Sequence, residues 1–474
     1  MRAKNTWVFI LLAISILTAN ILSARADPPD ERVKAKLEEI RKQGHPVSID
    51  DLEKWYTYPP PDENIAEQLL DVFKKWPNVG KHDSNSPLPL VGNGRLPELN
   101  QPLDQATLQA IRKYLHQYRE PLGALHELAA KKRGRYPIML VDKFRERFSP
   151  STTLSKEERE KIVYLQPVQH IRSSTRVLLL EAIARADEGI NTGATRSILT
   201  ALNLSRTLDD EPFMIAALYR KNCDDMTIDI LQRIMSRTEL SQNQLVKISG
   251  ALEESEKSYA LTSMLIGERC LNYFEVENAS DKQLFLTFDF PQPLPPPDRT
   301  AKGRADDMLT LLDYKSDLIQ ASKFPFPESL QLARQIGRLT IDLSSKHTGA
   351  RFHRDADVIK IGDNEPRKYT SNIFPAFARS SACVRAAAVA IAIERYRIAK
   401  RMIPESLESL VPEFLKAIPA DPFDGKPLRY KKLAMGYVVY SIGEDGTDDG
   451  GKEQPISYDP QNKPAWDVTF TVLR

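Results

Sequence analysis

The chain has 474 residues, 41% hydrophobic and 27% charged, with a formal net charge of +2. That is the balance of a folded globular protein of two or three domains, and the near-neutral charge supplies no bulk field for nucleic acid or anionic lipid. Three widely spaced cysteines, Cys223, Cys270 and Cys383, exclude a disulfide framework and a CxxC zinc site; they read as thiols buried on helices.

In chain order, residues 1–26 come first. Arg2 and Lys4 precede an apolar run over 7–22, and Ala24-Arg25-Ala26 makes a small-x-small cleavage site before Asp27. The segment reads as a signal peptide or, uncleaved, as a signal anchor; the run is short for a span of about 20 residues and contains Thr18 and Asn20. Either reading places the rest of the chain outside the cytoplasm, in the periplasm or cell envelope. Membrane contact would come through this segment alone.

Residues 27–166 read as a helical segment with long loops. Helices are expected over 31–43, over 49–56 behind a Ser48 cap, and over 63–76 with Ile65, Leu69, Leu70, Val72 and Phe73 as the buried stripe. The loop 77–102 holds five Pro and three Gly and is expected to pack on the helices. Two helices are expected over 104–130, separated near Pro121, before an irregular stretch from Tyr136-Pro137.

Residues 167–372 read as a helical-hairpin domain, with helices over 168–186, 193–208, 212–237, 241–255 and 259–274 and then over 305–322 and 328–343. Ala182, Ala186, Ala194 and Ala201 resemble the small residues that let tetratricopeptide-type helices approach, but no 34-residue period repeats, so the expectation is α-solenoid-like αα-hairpins. The stretch 278–300 carries Phe285, Phe288, Phe290 and PQPLPPPD and is expected to be extended; 344–368 is polar and irregular.

Residues 373–474 hold the densest punctuation. A long helix over 373–400 is apolar on one broad face, with Arg385, Glu394, Arg395 and Arg397 on the other. Pro404 stops it, and a short helical piece over 405–415 is broken by Pro412. Asp421-Pro422-Phe423-Asp424-Gly425 is a turn, 428–431 and 437–440 are two strands of a hairpin, and 466–473 is a last strand. Between them, 443–451 packs three Asp, one Glu and four Gly into nine residues. The fold class expected is mainly α with a small C-terminal α+β unit.

Searching for chemistry finds no phosphate-binding glycine loop, no H-E-x-x-H and no G-x-S-x-G. His353-Arg354-Asp355 copies a kinase tripeptide without its companion motifs. His116 and His126 lie ten apart on a helical hairpin, and Arg135-Tyr136 reads as a helix-end anchor or an anion contact. The acidic loop is the one strong cluster. Calcium takes six to eight oxygens on a tight, glycine-punctuated loop, so Asp445, Asp448, Asp449 and the returning Asp467 are candidate ligands of a structural calcium; the alternative is a solvated acidic turn.

Two resemblances follow from these motifs. Asp421, Pro422, Phe423, Tyr430, Ser441, Gly443, Asp445, Gly446, Gly450, Gly451, Asp467 and Val468 resemble the C-terminal half of the major pseudopilin of type II secretion, a family whose acidic loop binds calcium. In that family the helix is the chain's own N-terminus, whereas here it is internal. The whole chain resembles a group of uncharacterised bacterial proteins with a helical domain before such an end. That likeness rests on Trp55-Tyr56, Glu63-Asn64, Val91-Gly92-Asn93, Arg135-Tyr136-Pro137, Asp210-Glu211-Pro212, Gly267-Glu268-Arg269 and Glu394-Arg395-Tyr396-Arg397. The resulting expectation is a non-enzymatic, exported envelope protein, a helical scaffold for a protein partner with a pseudopilin-like end. The alternative is an extracytoplasmic hydrolase or carbohydrate-binding protein with a cleft between the helical and C-terminal domains.

Overall fold

Three helices begin where a short polar side chain turns back onto the first turn. Asp30 accepts from the Arg32 amide, Ser48 from that of Asp51 and Asp104 from that of Thr107. They open α1 (Glu31–Lys42), α2 (Ile49–Trp55) and, after α3 (Ala66–Lys75), α4 (Gln105–Gln117). There follow α5 (Arg119–Leu128), α6 (Gln166–Asp187), α7 (Asn191–Arg206), α8 (Met214–Arg237), α9 (Gln242–Lys257), α10 (Leu261–Asn278), α11 (Ala301–Ala321) and α12 (Glu328–Lys346). A pair of two-residue antiparallel strands, β1 (Val358–Ile359) and β2 (Arg367–Lys368), precedes α13 (Ile373–Lys400) and the sheet strands β3 (Arg429–Lys432), β4 (Tyr437–Ser441) and β5 (Val468–Val472).

The structure, a computed structural model, describes residues 30–129 (Tyr58 and Pro61 apart), 134–136, 166–257, 261–278, 301–346, 358–359, 367–368, 373–452 and 466–474. The expected signal segment 1–26, residues 137–165, the proline-rich 279–300 and His353-Arg354-Asp355 lie outside the described residues.

The protein is mostly helical with a small three-stranded antiparallel sheet near its C-terminus. Two local expectations need correcting. Pro121 does not separate α4 from α5. The break falls at Tyr118, and Pro121 sits in the first turn of α5, where a missing N–H costs no helical bond. The piece expected over 405–415 tightens to one 3-10 turn, Leu407–Leu410, before Pro412.

The main core gathers residues between Ile49 and Val472, taking in α6, α7, α8, α13 and the sheet. Ala182, Ala194 and Ala201 are fully buried where α6 meets α7. The α13 helix packs against α8, α9 and α12 and against β4 and β5. By length and composition it could cross a membrane, yet 72% of its most apolar stretch is buried inside the protein.

The sheet order is β3-β4-β5. The outer edge of β5 does not face solvent, because the Thr471 amide donates to Gln232 (2.8 Å) and the Leu473 amide to Ser236 (3.1 Å), both on α8. At the other edge β3 carries Arg429, Lys431 and Lys432, charges of the kind that discourage a further strand. Gly436, with φ of +98°, makes the β3–β4 turn; a Cβ there would fall 1.8 Å from the Val472 carbonyl oxygen.

The 77–102 loop lies on the helices, as expected. Arg233 donates to the carbonyls of Pro97 (2.7 Å), Glu98 (3.0 Å) and Gln101 (2.5 Å), and Arg237 to that of Asn100 (3.1 Å). These guanidiniums satisfy backbone acceptors that a proline-rich loop cannot pair with its own amides.

Candidate functional site

The acidic loop is built on the β3–β4 hairpin and closed by β5. Asp467 stands just before β5, 3% exposed, and its two oxygens accept from the Asp449 amide (3.4 Å) and the Gly451 amide (2.7 Å). Burial pushes its carboxyl up from the ordinary range. Asp449 is half-buried, with Oδ2 buried and without a hydrogen-bond partner. Asp448 is about half exposed; it accepts from the Gly450 amide and pairs with Arg429 at 3.3 Å. Asp445 is exposed and accepts from the Thr447 amide.

The loop therefore brings Asp449 and Asp467 together, gives Asp448 to Arg429 and leaves Asp445 at the surface. Among the described residues no three His, Cys, Asp or Glu side chains are placed to hold one metal ion.

Two cations stand on this face: Lys431, which donates to the Gly450 carbonyl (3.4 Å), and, paired with the carboxylates, Arg429. Its guanidinium reaches Asp421 (2.7 Å), Asp424 (2.6 Å) and Asp448 (3.3 Å). Asp421 is fully buried and accepts from four groups: the Phe423 amide (2.9 Å), the Ser441 hydroxyl (2.7 Å), the Ile442 amide (3.0 Å) and Arg429. The D-P-F-D-G turn is thus locked to β4 and β3 through one carboxylate. Its Asp-Pro signal was legible as a turn, but the pairing with Arg429 depends on the hairpin register.

A second cluster gathers residues that stand far apart in sequence. Glu211 is 1% exposed. Its Oε1 accepts from the Tyr56 hydroxyl (2.5 Å) and the Tyr136 amide (3.0 Å), while Oε2 is buried and has no hydrogen-bond partner. The Tyr136 hydroxyl meets Thr207 at 2.7 Å. Asn64 accepts from the amides of Ala66 and Arg135, both at 3.1 Å, and the Arg135 guanidinium lies 4.1 Å from the centre of the Tyr56 ring. Burial pushes the Glu211 carboxyl up to about 7, against the opposing effects of Tyr56, Tyr136 and Arg135. Arg135-Tyr136 therefore anchors the chain between α2, α3 and the α7–α8 turn.

Other polar groups, buried or half-buried, also join elements. Glu268 accepts from the Met214 amide (2.9 Å) and so caps α8 from α10. Beside it, Gly267 lies so close to Pro212 that a Cβ would fall 1.8 Å from its carbonyl oxygen, and Arg269 donates to the Pro46 carbonyl (3.1 Å). Glu394 on α13 accepts from Tyr437 (3.1 Å), Arg397 (3.0 Å) and the C-terminal Arg474 (2.9 Å). His126 turns to Thr200 and Glu181, both at 2.8 Å. All three cysteines carry free thiols; Cys223 and Cys270 are buried, and Cys383 is partly so.

What these arrangements do chemically is hold neighbouring segments in register. No protein family, curated protein or solved structure matches the chain.

Proposed function

We propose that this chain is a non-enzymatic, exported envelope protein. In this reading solenoid-like αα-hairpins form a scaffold for a protein partner, and a pseudopilin-like unit closes its C-terminal end. The observation that carries the reading is the use of buried and half-buried polar residues. Glu211, Glu268, Arg269, Glu394 and Asp421 each bind groups from other segments, which is the work of a scaffold. The export part rests on the sequence of residues 1–26. Fractionation is expected to recover the protein from the envelope or periplasm, with an N-terminus at Asp27 where the signal is cleaved. Cross-linking in envelope fractions is expected to join it to a protein. Recovery from the cytoplasm with Met1 intact would overturn the reading.

The alternative, a hydrolase or carbohydrate-binding protein, draws on Glu211 as a carboxylic acid that titrates near neutrality. Against it stands the 1% exposure of that residue. A robust hydrolytic activity lost on a single substitution at Glu211, with the fold intact, would favour this alternative.

Calcium at the acidic loop belongs to the same proposal. Its support is the orphan Asp449 oxygen beside Asp467, and it requires Asp448 to leave Arg429. Linkage at ten times the dissociation constant adds about 1.4 kcal/mol to the folded state. The protein is therefore expected to melt higher in millimolar calcium than in chelator, and Asp449→Ala and Asp467→Ala to lose that difference. Superimposable melting curves for the wild type would leave the loop a solvated turn.

A further inference from the structure

We propose that His45 and Arg269 form a binding site for a carboxylate, presented as an acidic side chain of a protein partner. The proposal rests on the scaffold reading and names the chemistry by which the partner is held. His45 and Pro46 lie in the turn between α1 and α2, after Gly44 at a φ of +77°. Arg269 reaches that turn from α10. Its guanidinium donates to the Pro46 carbonyl (3.1 Å) and to the Ser316 hydroxyl on α11 (3.2 Å), and the residue is 1% exposed.

Two nitrogens at this turn are left over. Arg269 Nε and His45 Nδ1 are each buried without a hydrogen-bond partner. Among the described residues the hydrogen-bond partners of Arg269 are that carbonyl and that hydroxyl, neither of them an acid, whereas Arg220 and Arg429 meet aspartates. Burial, and then the charges of Arg269 and Lys323, hold the His45 ring below its ordinary value. The ring is therefore a neutral imidazole at neutral pH, with one N–H to place on either nitrogen. Lys323 stands two helical turns beyond Ser316, just past the end of α11, and is exposed; Phe324 beside it is 45% exposed.

A guanidinium taken from water without a counter-charge is costly, and a buried donor left unmade adds to that cost. A carboxylate answers both. One oxygen meets the Arg269 Nε–H and the other the His45 Nδ1–H, and its single charge matches the single guanidinium. A phosphate monoester brings close to two charges and three terminal oxygens, one more than the two nitrogens serve. A bridging water satisfies both nitrogens and leaves the charge unmatched. Charge and donor count both select the carboxylate. Lys323 at the surface draws an acidic side chain in, and Phe324 gives the residue flanking it an apolar contact.

The test is fluorescence anisotropy of the purified full-length chain with a labelled, end-capped pentapeptide that carries one glutamate between two phenylalanines. The same peptide with glutamine in place of glutamate is the isosteric comparison, and acetate and inorganic phosphate at matched ionic strength are the competitors. The glutamate peptide is expected to bind saturably, the glutamine peptide about 10- to 100-fold more weakly, and acetate to displace the former better than phosphate does. His45→Phe, which keeps a ring and removes Nδ1, is expected to weaken binding about 10-fold. Lys323→Gln is expected to weaken it about 2- to 5-fold, the scale of an exposed charge pair, and to flatten its salt dependence. Lys323 is exposed, so that variant keeps the test decisive even where His45→Phe does not fold; Arg269 stays in place because it also holds the Pro46 turn. Equal binding of the two peptides would overturn the site, as would no binding of either, which leaves a water between the two nitrogens. Phosphate displacing the peptide better than acetate, or binding unchanged in both variants, would overturn it too. The titration needs no native partner, so its failure removes the carboxylate site and leaves the cross-linking test of the scaffold reading to be decided on its own result.

Discussion

Replacing Asp421 by Ala is expected to cost about 3–5 kcal/mol of folding free energy, the range for removing one partner of a buried ion pair. The carboxylate is fully buried and accepts from two backbone amides, one hydroxyl and Arg429. Its loss leaves the Ile442 amide and the Ser441 hydroxyl without their acceptor inside the sheet, each a desolvation cost of about 1–3 kcal/mol. Arg429 would keep Asp424 and Asp448, which lie nearer to solvent. Asp421→Asn is a sharper probe. Its amide can still accept through one oxygen, but its NH2 would face either the Phe423 amide and Ser441 or the Ile442 amide and Arg429. Those are mostly donors, so the isosteric change should recover little of the loss. Urea unfolding of the full-length chain measures both variants. A cost below about 1 kcal/mol for Asp421→Ala, within the range of an exposed pair, would show that the turn does not depend on this carboxylate.

That network also marks where sequence reading stops. The α13 helix was legible at both ends, Ile373 and Lys400, because a long run of small and apolar residues lies between a helix-compatible start and the Pro404 stop. The β3–β4 hairpin was legible to within a residue at each end, since Tyr437-Val438-Val439-Tyr440 is β-branched and aromatic throughout and Gly436 permits the turn. The starts of α7 and α8 were misplaced by two residues for a physical reason. Neither Ile190 nor Phe213 offers a capping side chain, and the Met214 amide is capped by Glu268, far along the chain. Local rules cannot see a cap that arrives by tertiary packing. The acidic loop was legible as a cluster of charge, yet its partners were not. Which carboxylate meets Arg429 and which meets a backbone amide follows from the register of three strands. Glu211 gave no local signal beyond the Asp-Glu-Pro before α8, because Tyr56 and Tyr136 reach it only after the helices have packed.

Glu211 should therefore make the protein less stable as pH rises from about 5 to about 8. Its carboxyl sits at about 7 in the folded protein against an ordinary value of 4.5. Between those two values the folded state holds the proton and the unfolded chain releases it, so folding stability falls with increasing pH. The loss begins near the unfolded value, is nearly complete once the pH passes the folded value, and amounts to about 2–3 kcal/mol over the window. Protonation also suits the site, since Oε2 is buried without a partner and a neutral acid is less costly there than a carboxylate. Glu211→Gln removes the titration and leaves one oxygen to accept from Tyr56 and the Tyr136 amide. The informative quantity is the stability of Glu211→Gln minus that of the wild type, measured by urea unfolding at pH 5 and pH 8. It is expected to rise by about 2–3 kcal/mol between them, whatever its sign at pH 5. Parallel curves for the two proteins would mean that Glu211 ionises at its ordinary value and that the Tyr56, Tyr136 and Arg135 surroundings fully offset its burial.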